Sequence, residues 1–337
     1  MSANAAERTL ARDDLIGAHS PLFAECPDRT SDVRHLSANL VVGRRSCRRQ
    51  RGLRGGDGAG PGPKYDRAMC EVQHAAGLAY RESGGPSERV ALLVHGYPES
   101  SFMWRHALPA LAAAGWRAVA PDLPGYGDSE PDPPGSWERH IEALDRFVCE
   151  LELGPVALVT HDWGVMIGVR WACDQNARVR ALVVSDGGFF SDRHWHDLAN
   201  TMRTVGDGER LVAAYTRDGL SHALRSLSSG ITEAAVTEYW KAFADDIRRH
   251  AQLELYRSGD FEKLLPYDGA LARLGVPVLI IWGGQDRFST PKMADRFHAE
   301  IPGSQLSIVE DAGHFVWEDA PQITVATLVE FLCKSVD

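Results

Sequence analysis

Six short apolar runs recur along this chain: Val90–Val94, Ala118–Ala120, Val156–Thr160, Ala181–Ser185, Val278–Trp282 and Leu306–Val309. Most are rich in β-branched residues and apolar at consecutive rather than alternate positions, which is the pattern of strands covered on both faces. Helical periods separate several of them. Over Trp137–Leu151, for example, Trp137, Ile141, Leu144, Val148 and Leu151 share one face, with Glu138, Arg139, Glu142 and Asp145 opposite. Strands that alternate with helices imply a mostly parallel sheet flanked by helices, an α/β fold. Met69–His74 and Leu78–Arg81 are expected to open the sheet as an antiparallel pair.

The alternation stops after Asp186. Residues 187–267 carry helical periodicity only, as in Val236, Tyr239, Trp240, Phe243 and Ile247. The expected organisation is therefore an α/β core over 65–186 and 268–337 with a helical cap, 187–267, inserted between two strands. Residues 1–64 lack sustained periodicity and become rich in Arg and Gly from Gly43 to Pro63, so they are expected to be a disordered extension. They hold 11 Lys and Arg against 7 Asp and Glu, and the remaining residues hold 25 against 39. An acidic body with a formal charge of −10 opposes general nucleic-acid binding, which needs basic surface against phosphates.

Six scattered cysteines form no CxxC pair, as expected of a reduced, cytoplasmic protein. No run reaches the roughly 18 apolar residues that span a bilayer. Asp13 and Asp14 stand where a signal peptide would have its apolar centre, so neither export nor membrane insertion is expected.

The chemistry-bearing residues cluster at the ends of the apolar runs. Thr160-His161-Asp162-Trp163-Gly164 joins the run Val156–Thr160 to a helical stretch. A side chain on such a turn stands above the sheet near a helix N-terminus, which suits an anionic nucleophile, although aspartate is also a common helix N-cap. His95-Gly96-Tyr97-Pro98 follows another run, and its backbone can supply a donor facing the same site as the Trp163 amide. Trp282-Gly283-Gly284-Gln285-Asp286 and Asp311-Ala312-Gly313-His314-Phe315 bring a carboxylate and a histidine to the ends of the last two runs. Parallel sheets build sites at these carboxyl ends, and the chain order aspartate, acid, histidine matches a hydrolase triad.

On HGYPESSFMWR (95–105), PDLPGYGDSEP (121–131), HDWG (161–164), WGGQDRFS (282–289) and DAGHF (311–315), the chain resembles the α/β-hydrolase superfamily. Within it, the resemblance is to the epoxide hydrolase and haloalkane dehalogenase branch, and it runs from about Tyr65 to the C-terminus. It implies Asp162 as nucleophile, His314 as the base that activates water and Asp286 as the partner of the histidine. Tyr97 and Trp163 would give backbone amides to an oxyanion hole. Asp186 is an alternative acid, because some members place it after the strand preceding the cap.

An aspartate in the nucleophile position favours displacement at saturated carbon, giving an alkyl ester that activated water then hydrolyses. An epoxide needs an acidic donor at its oxygen, and the resemblance implies Tyr256, with Tyr215 second, whereas Tyr239 is expected to pack in the cap. A halide needs two N–H donors; Trp163 offers one, with Trp195 or Trp240 as candidates for the other. Epoxide hydrolysis is the expected activity, with dehalogenation and a non-catalytic ligand-binding module as the alternatives. Asp192, His194 and His196 are expected to be surface residues rather than metal ligands. No dinucleotide or phosphate-cradling motif appears, so the expected partners are a small apolar substrate and water, with no cofactor.

Overall fold

The computed structural model describes residues 71–336. The expected disordered extension, and Met69 and Cys70 at the start of the first expected strand, lie outside the described residues. Eight strands form one sheet: β1 (Gln73–Ala75), β2 (Leu78–Ser83), β3 (Val90–Val94), β4 (Arg117–Pro121), β5 (Val156–His161), β6 (Val179–Ser185), β7 (Val278–Gly283) and β8 (Gln305–Val309). Their spatial order is β1-β2-β4-β3-β5-β6-β7-β8. β1 with β2 and β2 with β4 are antiparallel, and all later neighbours are parallel.

Helices α1 (Ala107–Ala113), α2 (Trp137–Glu150) and α3 (Trp163–Asp174) occupy the first crossovers. Between β6 and β7 come α4 (Asp197–Arg203), α5 (Asp207–Ala214), α6 (Arg217–Leu227), α7 (Glu233–Trp240), α8 (Asp246–Ser258) and α9 (Ala270–Arg273). The chain closes with α10 (Pro291–Glu300), α11 (Val316–Asp319) and α12 (Pro321–Ser335). No helix among the described residues is long and apolar enough to cross a membrane.

The apolar runs predict the central strands because those strands lie inside. Every residue of β3, β5 and β7 is buried. α2 starts at Ser136, whose hydroxyl accepts the Arg139 N–H, and buries Trp137, Ile141, Leu144, Phe147 and Val148. Each large side chain on that face contributes roughly 1.5–3 kcal/mol by leaving water.

Two sequence expectations fail locally. Asp145, assigned to the polar face of α2, is buried because its carboxylate accepts the Trp171 indole N–H at 2.9 Å and pairs with Arg178 at 3.2 Å. The stripe from Val236 to Ile247 is not one helix face. Asp245 caps a new helix, α8, by accepting the Arg248 N–H, and the change of axis leaves Ile247 exposed.

α3 lies unusually close to the sheet. A Cβ built on Gly164 would fall 2.3 Å from the Val94 carbonyl oxygen, and one on Gly168 would fall 2.8 Å from Thr160 Cγ2. This contact seats the helix N-terminus against the ends of β3 and β5. In an open helix, alanine would be favoured over glycine by roughly 1 kcal/mol. Gly164→Ala should nevertheless lower stability by about 1–3 kcal/mol, because backbone must move; urea denaturation will show a lower midpoint, and a raised midpoint would contradict the packing.

Candidate active site

Asp162 ends β5 and immediately precedes α3, with φ +48° and ψ −117°. A non-glycine residue there carries strain of roughly 1–3 kcal/mol, which surrounding structure must hold in place. The constraint comes from both sides: a Cβ on Gly96 would meet Asp162 Cβ at 2.5 Å, and one on Gly187 would meet the Asp162 carbonyl oxygen at 2.8 Å. Asp162 occupies the N-cap position, yet its side chain makes no capping bond. Its Oδ2 instead accepts the Tyr97 backbone N–H at 2.9 Å.

His314 follows β8 in a loop held at both ends. Gly313 N–H donates to Asp319 Oδ2 at 2.9 Å, and Gln285 N–H donates to the Ala312 carbonyl at 2.9 Å. The ring Nδ1 lies 3.0 Å from Asp286 Oδ2, so it carries the proton donated to that carboxylate. Nε2 is then the free lone pair. It stands 3.8 Å from Asp162 Oδ1, too far for a hydrogen bond. Asp286 is fixed through Oδ1, which accepts the N–H groups of Phe288 at 2.7 Å and Ser289 at 3.0 Å.

Asp186 sits beside this pair rather than in it. Its Oδ1 accepts the Gly283 N–H at 2.9 Å, and its backbone also has positive φ, +48°. Burial, reinforced by the negative charge of Asp286, holds its pKa well above the ordinary carboxyl value. For His314, burial opposes protonation, but the charge and hydrogen bond of Asp286, aided by Asp162, outweigh it and raise the pKa. The Asp162 side chain keeps 23% exposure while those of Asp286 and Asp186 have none, so only Asp162 can meet a substrate.

Asp162, His314, His196 and Phe288 separate two chambers. The larger is mostly apolar, with walls from Leu198, Leu220, Leu224 and Leu227, and also receives Tyr97, Tyr215 and Tyr256. The smaller has Trp163, Arg193, His194 and Trp195 in its walls. The arrangement can hold an apolar molecule against a carboxylate that has a base and a backbone donor beside it.

The model of the alpha/beta hydrolase fold family matches residues 90–321. The chain belongs to that family. This hydrolase is 26% identical over 299 residues to the cis-3-alkyl-4-alkyloxetan-2-one decarboxylase of Xanthomonas campestris, covering 81% of this chain and 97% of the relative. It is 29% identical over 293 residues to epoxide hydrolase 3 of Siraitia grosvenorii, covering 73% and 92%. The solved structure of the haloalkane dehalogenase DbeA from Bradyrhizobium elkani superposes with a TM-score of 0.67 at 26% identity, covering 78% of this chain and 97% of that one.

In this hydrolase the three residues read as a triad come together, although they are 28 to 152 positions apart in the chain. Tyr215 and Tyr256 both reach the cavity. Tyr256 packs edge-on to Trp163 with ring centroids 5.1 Å apart. Tyr239 is buried with its hydroxyl on Glu318, which Arg105 also binds, tying α7 to the core. Trp195 stacks on Phe261 at 4.2 Å, and Trp240 packs near Phe243 at 6.0 Å. Asp192 pairs with Arg296, and His196 uses its ring to cap α4, accepting the Ala199 N–H.

The sequence reading missed three residues here and misplaced a fourth. Glu99 and His161 lie fully buried behind the site, 3.3 Å apart. Burial raises the pKa of Glu99 well above the ordinary carboxyl value and lowers that of His161 well below the ordinary imidazole value. His161 adjoins Asp162 and Glu99 completes HGYPE, so both had a positional signal in the chain. Arg193 reaches the smaller chamber without any pattern in the chain that points to it, and His196, expected at the surface, is half-buried and lines both chambers.

If Asp286 is what raises His314, Asp286→Asn should move the imidazole titration to lower pH, and Asp186→Asn should change it far less. Imidazole NMR across pH 4–9 reads both directly. The reverse ranking would transfer the partner role to Asp186.

Proposed function

We propose that this hydrolase opens an epoxide to a vicinal diol through a covalent ester on Asp162. The observation that carries the reading is that Tyr215 and Tyr256 line the same apolar cavity as Asp162 and His314. Burial raises the pKa of both tyrosines, for Tyr256 with the Asp162 charge added, so both hydroxyls keep their protons at neutral pH. They are therefore available as donors.

Asp162 Oδ2 is held by the Tyr97 N–H, which leaves Oδ1 as the attacking oxygen. Oδ1 forms a bond to a ring carbon, the carbon–oxygen bond of the epoxide breaks, and the departing oxygen takes a tyrosine proton. His314 Nε2 then removes a proton from water, whose oxygen attacks Cγ of the ester. Negative charge develops on Oδ2, beside the amides of Tyr97 and Trp163 acting as the oxyanion hole. The product alcohol leaves, Asp162 is regenerated, and the proton on His314 restores the tyrosine through solvent. Asp286 keeps the imidazole in the Nδ1–H tautomer and stabilises its charged form. The helices of 187–267 serve as the cap that closes the apolar cavity.

Dehalogenation is the alternative reading, in which Trp163, in the chamber wall beside Asp162, would supply one N–H donor to the halide. The family relative named for oxetan-2-one decarboxylation makes a strained four-membered lactone the further electrophile worth testing.

His314→Ala should retain the first step and lose the second. Exposed to styrene oxide, it should gain the mass of the whole epoxide on Asp162 by intact-protein mass spectrometry. A bromoalkane giving only the alkyl increment would support dehalogenation instead, and release of carbon dioxide from an oxetan-2-one would support decarboxylation. No adduct from any class would remove the covalent mechanism. Tyr256→Phe should slow adduct formation from styrene oxide on the order of 10²-fold, since it removes a proton donor.

Water activation requires neutral His314. The ester-hydrolysis rate in the wild type should therefore rise with pH through the raised His314 pKa, giving an acid limb with its midpoint above the unperturbed value of 6.5. Single-turnover decay of the ester across pH 5–9 measures it, and a flat profile would exclude His314 as the base.

A further inference from the structure

Arg193 is a charged chamber wall whose chemistry the ring-opening reaction leaves unused. Its guanidinium faces the smaller chamber together with Asp162, Trp163 and His314. Among the described residues, its side chain has neither a hydrogen bond nor a carboxylate within the 4.0 Å of an ion pair. The nearest acid in sequence, Asp192, is taken by Arg296 at 2.5 Å. Arg203, which lines the neighbouring surface of the cap, is by contrast bound to the carbonyls of Tyr256 and Gly259.

The seat of Arg193 is specifically shaped. A Cβ on Gly188 would fall 1.6 Å from Nη1, so the guanidinium occupies space that any other residue at 188 would fill. The Phe261 ring lies 5.4 Å beneath it. A guanidinium without a protein partner is free to bind a ligand, and its planar fork matches a carboxylate through two parallel hydrogen bonds. Partial burial lowers the Arg193 pKa, and the negative charges of Asp162 and Asp286 act against that lowering. The same charges would repel an anionic substrate from the nucleophile unless a cation stood beside it.

The geometry points to Arg193 as the receptor for a carboxylate on the substrate, so that this hydrolase acts on epoxides bearing a carboxylate on one side of the ring and an apolar group on the other. The apolar group extends into the larger chamber among Leu220, Leu224 and Leu227. The carboxylate turns into the smaller chamber, and the ring lies between them at Asp162, which both chambers share. This substrate class rests on the epoxide reading, but the binding preference does not depend on ring opening.

The test therefore uses a ring that cannot open. trans-2-Phenylcyclopropanecarboxylate and its primary amide match a phenyl glycidate and its amide in shape. By isothermal titration, the wild type should bind the acid at least tenfold more tightly than the amide. Arg193→Met should abolish that ratio and Arg193→Lys should keep part of it, with thermal melts confirming that both variants fold. Equal binding of acid and amide by the wild type, or a ratio that survives Arg193→Met, would overturn the assignment. In parallel, the wild type should show a kcat/KM for 3-phenylglycidate at least tenfold above that for 3-phenylglycidamide. A binding preference without turnover of any epoxide would uphold the carboxylate receptor and reject the epoxide reading. Turnover of both epoxides at equal kcat/KM, with no binding preference, would do the reverse.

Discussion

The site depends on a backbone approach that only glycine permits. Gly96, at the end of β3, and Gly164, in the first turn of α3, bring two chain segments so close to Asp162 that a single added carbon would overlap them. That pressure holds Asp162 at positive φ, where an aspartate would not settle by itself. The same approach puts the Tyr97 N–H on one carboxylate oxygen and leaves the other towards His314. The parallel pairing of β3 with β5 and β5 with β6 supplies the rigidity that balances the strain.

Charge is distributed around this turn with an economy that burial enforces. Five titratable groups lie within the core behind the cavity: Glu99, His161, Asp186, Asp286 and His314. Burial drives Glu99 and Asp186 towards the protonated acid and His161 towards the neutral ring. Asp286 differs because two backbone N–H groups and the His314 ring meet its carboxylate.

The helical segment between β6 and β7 contributes the surroundings of the reacting carboxylate rather than the carboxylate itself. Its anchoring is polar: Tyr239 and Arg105 converge on Glu318, and Ser228 donates to Asp319, the residue that also holds Gly313 beside His314. A shift of that segment would therefore be felt in the loop that carries His314. Its inner surface divides by chemistry, with leucines over the larger chamber and Arg193, His194 and Trp195 over the smaller.

Much of the core was legible in the chain because its information is local. Consecutive β-branched residues mark strands covered on both faces, and glycines mark the turns where Asp162, Asp286 and His314 leave the sheet. Those residues could be named before any distance was known, since the chain order of a triad survives without coordinates. Local pattern misled where a remote partner changed a residue's environment, as when Trp171 and Arg178 drew Asp145 inside. It also misled at Ile247, where a capping aspartate reset the helix phase. Tertiary structure alone distinguished Asp286 from Asp186 in contact with His314, because both follow sheet strands and only packing sets which one reaches the ring. It alone left Arg193 without a partner beside Asp162, because a guanidinium's environment is made by side chains from distant segments. Sequence by itself determined the order of strands and the turns that could carry chemistry; packing decided which groups touch, which stay charged and what shape of molecule fits between them.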